Sequence, residues 1–469
     1  MNEVERLAAG CLLAGFEGTA VPEWLRRWLD GGLGGVVLFA WNVESRAQVA
    51  ELTAALRTDR PELVIAIDEE GGDVTRLEAA SGSSYPGNWA LGVVDDDALT
   101  ENVAAAMGAD LAAAGLNLNL APVADVNSNP LNPIVGIRSF GSEPQLVARH
   151  VGAFVRGLQR TGVAACVKHF PGHGDTREDS HLELPTVERD EQTMAAMLLP
   201  FRAAADAGVR AVMTAHIRVA GLDDVPATLS PRVIGDVLRR DLGFRGAVVT
   251  DALEMRAVSA TVGPDEGAVR ALEAGADALC LGHDLEAEAV HAAVVEAVRR
   301  GRLPEERLRE AAARVSELAG PVPVPGTDAV PRGIGLDAAR RALLVEGAVS
   351  LRRPPLVVEL SPERSIAAGT ANHGLADVLR GAASIRLHEA PLDARKLLEQ
   401  HFERQLVVVM RDAHRHTWER VAAKALLEAA SDAVVVEVGI PAWRPDGSAF
   451  IATHGSARVN FQAAAERLQ

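Results

Sequence analysis

Cysteine is scarce in this sequence of 469 residues, which contains only Cys11, Cys166 and Cys280. The number is odd, the three lie far apart, and each is set in an apolar stretch. This pattern argues against a disulfide framework and against a cysteine-based metal site. We therefore expect three reduced thiols in the protein core.

Basic residues are also fewer than acidic residues. The chain carries 47 basic and 64 acidic residues, which gives a net charge of −17 at pH 7. Nucleic acids and anionic membranes bind basic surfaces, so neither is expected as a partner. A small or neutral ligand agrees better with this charge.

The N-terminal segment lacks the features of an export signal. MNEVERLAAGCLLAGFEG places acidic residues before a short apolar run and has no basic region ahead of it. Neither a signal peptide nor a membrane-spanning helix is predicted, and the expected location is the cytoplasm.

What the sequence does contain is a regular alternation of short apolar runs with longer helical stretches. The strand candidates are residues 34–40, 63–68, 116–126, 163–170, 209–217, 246–252 and 276–282. Helical stretches such as Ala98–Ala114 and Pro144–Arg160 separate most of them. The alternation predicts an α/β fold, a (β/α)8 TIM-type barrel, with a doubly wound sheet as the alternative.

The positions of polar residues favour the barrel. Those at or just past the C-terminal end of a strand candidate are Asp68, Asp125, Lys168, His169, His216 and Asp251. In a barrel these strand ends meet at one mouth, where active sites form.

A stretch rich in proline and glycine divides the sequence. Residues 319–335 are predicted to link a catalytic barrel domain of residues 1–318 to a smaller domain of residues 336–469. The second domain is predicted to open with a helical stretch, AARRALLVEGAVSL, and to continue with strands at 356–360, 383–387, 405–410 and 433–439. This order predicts an αβα sandwich.

Ionisable residues are concentrated in KHFPGHGDTREDSHLELP, residues 168–185. The histidine spacing matches neither an HExxH helix nor a Cys/His finger, and proline and glycine prevent a helix there, so no metal is predicted. Asp179 and His181 can form a carboxylate–imidazole pair, in which the aspartate fixes the tautomer and the other ring nitrogen transfers protons. The alternative is a polar loop without chemistry.

This loop resembles the signature loop of the β-N-acetylhexosaminidases of glycoside hydrolase family 3, the group that includes the bacterial muropeptide-recycling enzyme. Four further segments resemble motifs of that family in the same order: AIDEEGGDVTR, LAPVADVNSNPLNPIVGIRSFG, VMTAHI and LGFRGAVVTDALEM. The resemblance covers roughly residues 30–285. The C-terminal region resembles the second domain of two-domain members only in general character.

The resemblance implies a retaining exo-β-N-acetylglucosaminidase that needs no cofactor. Asp251 would be the nucleophile, and His181, oriented by Asp179, would be the general acid/base in place of the more usual glutamate. A retaining glycosidase needs a carboxylate at the anomeric carbon and a proton donor on the leaving oxygen. From the residues alone, Asp251 could equally cap a helix, because it follows a strand candidate and precedes LEMRAV.

The resemblance also implies sugar-binding roles for Asp68, Arg76, Arg138, Lys168 and His169. Charged groups suit this task because they make stronger hydrogen bonds to hydroxyls than neutral groups do. Alternatively, Arg138 and Lys168 could be ion-paired supports under the mouth. His173 and Asp175 are expected to shape the loop.

Aromatic residues make up only 4% of the chain. Enzymes that grip long polysaccharides often stack sugars on Trp or Tyr, so we expect an exo-acting enzyme that removes one terminal sugar. Trp41, Trp89 and Phe170 lie nearest the motifs, and each could equally belong to the core.

The expected substrate is a carbohydrate that contains N-acetylglucosamine, from the cell wall or from chitin, and the resemblance points to peptidoglycan recycling. Two alternatives remain open. Because a neutral imidazole base does not repel an anion, inorganic phosphate could replace water as the acceptor, which would make the enzyme a phosphorylase. The other alternative is a catalytically inactive protein that binds sugars or muropeptides.

Overall fold

The computed structural model describes residues 1–282, 287–320, 333–362, 368, 373–388 and 393–469. The chain divides into two compact units. The first consists of Met1–Glu69, Thr100–Val135 and Ser142–Val330, and the second of Glu70–Leu99, Gly136–Gly141 and Pro331–Gln469. Most of the predicted linker lies outside the described residues, and the domain boundaries proposed from the sequence stay a prediction.

The elements are numbered along the chain. The strands of the first unit are β1 (Leu12–Gly15), β2 (Gly35–Leu38), β3 (Val64–Ile67), β4 (Leu118–Asn119), β5 (Ala164–Phe170), β6 (Thr186–Glu188), β7 (Ala211–Thr214), β8 (Arg218–Ala220), β9 (Ala247–Thr250) and β10 (Leu279–Leu281). The helices up to residue 320 are α1 (Glu3–Gly10), α2 (Glu23–Asp30), α3 (Arg46–Asp59), α4 (Asn88–Val94), α5 (Asp97–Ala113), α6 (Pro144–Gln159), α7 (Glu191–Asp206), α8 (Arg256–Ser259), α9 (Pro264–Ala274), α10 (Ala287–Arg299) and α11 (Glu305–Ala319). A π-helical segment spans Arg232–Asp241. Of these helices, α4 lies in the second unit.

The first unit is built on a parallel sheet of eight strands in the order β10-β1-β2-β3-β4-β5-β7-β9. Its two edges meet through a parallel bridge between Val249 and Ala278, where Thr250 N–H donates to the Ala278 carbonyl at 2.9 Å. The sheet is therefore nearly closed, which confirms the predicted α/β barrel and rules out the doubly wound alternative for this unit.

Alternate residues of the strands fill the barrel interior, because successive side chains on a strand point to opposite faces. Val64 and Ala66 of β3 and Cys166 of β5 belong to this interior cluster, and Val315 and Leu318 of α11 pack against the same residues. All three cysteines are buried free thiols, as expected.

The barrel contains one strand that was not predicted, and one predicted strand is much shorter than expected. Leu12–Gly15 is a strand that the sequence did not reveal, since a short apolar run after a helix has no alternation to mark it; its pairing with β2 and β10 defines it. In contrast, the predicted strand 116–126 is reduced to Leu118–Asn119. Pro122 has no N–H to donate, although its carbonyl still accepts from Lys168 N–H at 3.1 Å.

The second unit contains a mixed six-stranded sheet in the order β11-β16-β15-β14-β12-β13. Its strands are β11 (Leu344–Glu346), β12 (Pro355–Leu360), β13 (Ala383–Leu387), β14 (Gln405–Met410), β15 (Val434–Glu437) and β16 (Ala449–Ala452). Its further helices are α12 (Ile334–Ala342), α13 (Leu375–Val378), α14 (Ala394–Glu399), α15 (Thr417–Ala429) and α16 (Arg458–Leu468).

Both faces of this sheet are covered, which confirms the predicted αβα sandwich. Val408 faces a core shared with Leu426 of α15, whereas its neighbour Val407 faces a core shared with Phe461 of α16. The helix predicted for AARRALLVEGAVSL was wrong beyond Ala342, because Leu344–Glu346 pairs antiparallel with β16. No helix in the described part of the chain is both long and apolar enough to cross a bilayer.

Candidate active site

The carboxyl ends of three barrel strands bring four of the predicted residues to the mouth. Lys168 and His169 lie on β5, Asp68 follows β3, and Asp251 follows β9. Lys168 Nζ donates to Asp68 Oδ1 at 2.6 Å, so the two side chains form an ion pair between non-adjacent strands. Lys168 is 3% exposed, which makes this pair a fixed part of the site.

Asp251 is held as a carboxylate. Its Oδ1 accepts from the backbone N–H of Ala252 at 2.8 Å. Burial acts to raise the pKa of Asp251, but electrostatic interactions with the neighbouring His169, His216 and His181 outweigh that effect and lower the pKa. Helix α8 begins only at Arg256 with Met255 at the N-cap position, so the helix-cap alternative for Asp251 is wrong.

Asp179 and His181 form the predicted pair. Asp179 Oδ1 accepts from both Nδ1 and the backbone N–H of His181, each at 2.7 Å. Partial burial opposes ionisation of Asp179, but these hydrogen bonds lower its pKa below the usual value. In the described part of the chain the hydrogen bonds of His181 involve Nδ1 and the backbone, which leaves Nε2 for proton transfer.

His173 anchors the segment that carries this pair. Its ring bonds to Thr176 Oγ1 through Nδ1 at 2.8 Å and to Ser180 Oγ through Nε2 at 2.9 Å. Burial lowers the pKa of His173 to about 4, so the ring is neutral at physiological pH. Because Ser180 directly precedes His181, this contact fixes the backbone from which the imidazole projects.

The PGHGD turn of the loop lies unusually close to the chain after β4. A Cβ at Gly174 would stand 1.9 Å from the Val126 carbonyl oxygen, so only glycine fits. The side chain of Asp175, two residues after His173, makes a bidentate ion pair with Arg189 at 2.6 and 2.8 Å. Arg189 also donates to the carbonyls of Pro171 and Gly172 at 2.9 and 2.7 Å. His173 and Asp175 thus shape the loop, and Arg189 is a partner that no sequence signal indicated.

Asp125 holds the start of the loop through hydrogen bonds to His169 and His173. It is fully buried and accepts from His169 Nδ1 at 2.7 Å, from His169 N–H at 3.2 Å and from His173 N–H at 2.6 Å. Burial opposes its charge, but the two histidines lower its pKa, so it remains ionised. The sequence placed Asp125 at a strand end without giving it a role; the structure shows that it orients the ring of His169.

His216 is a second residue whose role the sequence did not reveal. Its ring is fully buried, with Nε2 donating to the Ala252 carbonyl at 3.0 Å and Nδ1 contacting Thr228 Oγ1 at 2.7 Å. Burial lowers the pKa of His216. The imidazole therefore holds the backbone next to Asp251 rather than acting on a substrate proton.

Arg76 and Arg138 belong to the second unit. Arg138 is 8% exposed and forms a bidentate ion pair with Glu70, at 2.9 Å from Nε and 2.8 Å from Nη2. Arg138 and Lys168 are therefore both ion-paired, and whether they act as supports or contact a sugar stays a prediction. Arg76 is half-buried.

Most of the first unit is similar in sequence to known proteins. Residues 19–318 match the model of the glycosyl hydrolase family 3 N-terminal domain. A β-hexosaminidase from Stenotrophomonas maltophilia is 40% identical over 291 residues, which are 60% of this chain and 86% of that protein. β-Hexosaminidase A from Pseudoalteromonas piscicida is 36% identical over 321 residues, and the match spans 62% of this chain but only 54% of that relative.

A solved structure resembles the chain over both units. The family 3 β-N-acetylglucosaminidase from Paenibacillus sp. str. FPU-7 matches with a TM-score of 0.87 and 33% identity, covering 99% of this chain and 96% of that one. The family model alone covers more than half of the sequence. The chain therefore belongs to glycosyl hydrolase family 3.

Proposed function

We propose that the protein is a retaining exo-β-N-acetylglucosaminidase that removes terminal N-acetylglucosamine from cell-wall or chitin fragments. The observation that carries this proposal is the hydrogen-bonded Asp179–His181 pair together with the buried Asp251 after β9, whose pKa is lowered by neighbouring histidines that include His181. A carboxylate and a proton donor that act on the same bond are the two groups a retaining glycosidase requires.

In the first step, the Asp251 carboxylate attacks the anomeric carbon and the bond from that carbon to the leaving oxygen breaks. Oδ1 is engaged by Ala252 N–H, so Oδ2 is the attacking atom. His181, protonated, gives its Nε2 proton to the leaving oxygen, which departs as a neutral alcohol. Asp179 stabilises the imidazolium before transfer and holds the ring in the orientation that exposes Nε2.

In the second step, the neutral His181 accepts a proton from water through Nε2. The water oxygen bonds to the anomeric carbon as the bond to Asp251 breaks, which releases the sugar and restores the carboxylate. The sugar-binding roles of Asp68, Arg76, Arg138, Lys168 and His169 remain part of the proposal and rest on the family resemblance. A cytoplasmic role in peptidoglycan recycling likewise remains a prediction.

The stereochemistry of the product tests the two-step mechanism. Two inversions at the anomeric carbon give net retention, so NMR of the first product released from a β-N-acetylglucosaminide should show the β-anomer before mutarotation. The matching β-glucoside, run in parallel, should be a poor substrate. Initial α-anomer would reject the covalent intermediate, and no turnover of any glycoside would favour the inactive binding protein.

Phosphorolysis is a second candidate, favoured by the use of an imidazole rather than a carboxylate as the base. Neutral His181 would not repel phosphate as a glutamate would. However, Lys168 is neutralised by Asp68 and His169 is bonded to Asp125, which weakens the attraction of these two residues for phosphate.

Turnover with and without millimolar phosphate distinguishes the two reactions. A phosphorylase should release N-acetylglucosamine 1-phosphate in proportion to phosphate, because phosphate oxygen then takes the place of water oxygen at the anomeric carbon. Release of free sugar alone, at a rate that phosphate does not change, would leave hydrolysis as the reaction.

A further inference from the structure

A pair of aromatic side chains follows β2 at the carboxyl end of the barrel, the same end at which Asp251 follows β9. Phe39 is the first residue after β2, and it packs on the top of the interior core cluster together with Ala252, the neighbour of Asp251. The ring of Trp41 stacks on Phe39, with centroids 4.6 Å apart and planes 15° apart. Phe39 is thus partly buried against the core, and Trp41 stacked on it is exposed.

The turn that carries these rings is fixed by a buried amide. Asn42 is fully buried, and its Oδ1 accepts from Phe39 N–H at 2.9 Å. Its Nδ2 donates to the carbonyls of Phe16 and Gly18 at 2.9 and 2.7 Å. The indole Nε1 of Trp41 donates to the same Phe16 carbonyl at 3.0 Å. The indole is thus held in one orientation before any ligand binds, which lowers the entropic cost of binding.

Trp41 is nevertheless 44% exposed. Leaving so large an apolar surface in water is unfavourable, and a fixed, exposed aromatic at the mouth of a barrel is typical of a binding surface. A β-linked sugar presents one face of axial C–H groups, which packs on a flat aromatic ring while its hydroxyls stay in water. No charged or hydrogen-bonding group is needed for this contact.

Charge around the aromatic pair selects among possible sugars. Glu17 and Glu44 are exposed on the two turns that flank Trp41. Arg46, the basic residue nearest to Trp41 in the sequence, is ion-paired with Asp110 at 2.7 Å. Such a rim disfavours a sugar that carries a carboxylate and accepts a neutral one.

Building on the proposed function, we propose that Phe39 and Trp41 form the binding platform for the sugar that follows the scissile bond, and that the preferred substrate is a neutral chito-oligosaccharide. The platform lies outside the set of residues predicted from the sequence to bind the terminal sugar. It would hold the leaving group by stacking, so its effect should appear only with substrates whose second unit is a ring.

Trp41→Ala is the direct test. The value of kcat/KM for chitobiose should fall about fivefold to tenfold, the size of one lost aromatic contact, while the inhibition constant of free N-acetylglucosamine stays unchanged. Trp41→Phe keeps a ring and should recover most of the loss. Phe402→Ala, which removes a 74% exposed aromatic from the second unit, is the matched control and should have no effect. Unchanged chitobiose kinetics in Trp41→Ala, or an equal loss of affinity for the free sugar, would overturn the platform.

Oxidative footprinting gives an answer even if Trp41→Ala fails to fold. In the Asp251→Asn variant, which should bind without turnover, chitotriose should protect Trp41 from oxidation and free N-acetylglucosamine should not. Equal oxidation with both ligands would reject the platform. Because binding is read directly, a failure here is distinct from a failure of the proposed function, which would appear as absent turnover in the unmodified enzyme.

The acidic rim is tested on the unmodified enzyme. A disaccharide whose second sugar bears a carboxylate should have a lower kcat/KM than chitobiose. The difference between the two kcat/KM values should decrease as the salt concentration is raised, since salt screens exposed charges. A higher kcat/KM for the anionic disaccharide at low salt would refute the preference for a neutral substrate.

Discussion

Replacing Asp251 by alanine is expected to abolish turnover while leaving the barrel folded. The side chain lies after β9 rather than within a helix cap, and its one described backbone contact is to the adjacent Ala252 N–H, so its removal leaves the strand pairing intact. The other predicted carboxylates are engaged elsewhere, Asp68 with Lys168 and Asp179 with His181, so neither replaces the nucleophile. We expect kcat/KM to fall by about 10⁴-fold or more, with an unchanged melting temperature. A variant that kept a tenth of the original activity would reject the assignment.

Two controls separate loss of the nucleophile from loss of structure. Asp251→Asn keeps the volume and the contact with Ala252 but cannot attack the sugar, so it should be as inactive as the alanine variant. An activated 5-fluoro glycoside should label the unmodified enzyme, and peptide mapping should place the label on Asp251. A label on another residue would move the nucleophile there. Added azide should restore turnover to Asp251→Ala and give the product of opposite anomeric configuration, because only one inversion then occurs.

Replacing His181 by alanine is expected to have an effect that depends on the leaving group. A sugar alcohol is a poor leaving group and needs the proton, so kcat/KM for chitobiose should fall by about 10³-fold, within the range of general acid catalysis. An aryl glycoside with an acidic phenol leaves without protonation, so its kcat/KM should change little. The kcat of the variant with this aryl glycoside should still fall, because the second step has lost its general base. Azide needs no base and should restore that kcat.

Two substitutions in the same loop complete this test. Asp179→Asn removes the charge that holds the His181 ring. It should lower kcat/KM for chitobiose more than for the aryl glycoside, as His181→Ala does, but by a smaller factor. Glu178→Gln makes the same carboxyl-to-amide change one residue earlier, outside the described hydrogen bonds of the pair, and should leave both substrates unaffected. Equal losses for chitobiose and for the aryl glycoside in His181→Ala would mean that the histidine has a structural role only.

Much of the barrel could be predicted because its signals are local. An apolar run that ends in an aspartate or histidine predicts both a strand and a residue at the mouth, which is how Asp68, His169 and Asp251 were found. The pair of Asp179 and His181 is equally local, since two residues separated by a single residue can bond without any help from the fold. The loop motif and its four companions then indicated the family.

The remaining features depend on contacts that are distant in the sequence, and only the tertiary structure decided them. β1 is a strand because β2 and β10 pair with it, and no pattern within Leu12–Gly15 requires this. Arg189 lies outside the loop motif of residues 168–185, yet it binds Asp175 of that loop. Asp125 bonds to His169 and His173, which lie 44 and 48 positions later in the sequence. Trp41 could have been a core residue by composition, and only its place on a rigid turn made it an exposed platform. The sequence by itself determined which candidate residues carry reactive side chains and which strand each of them follows. Both properties depend only on a few residues that are adjacent in the sequence. Which side chains support them, and which surfaces stay in water, followed only from the closure of the barrel, because burial is a property of the whole fold.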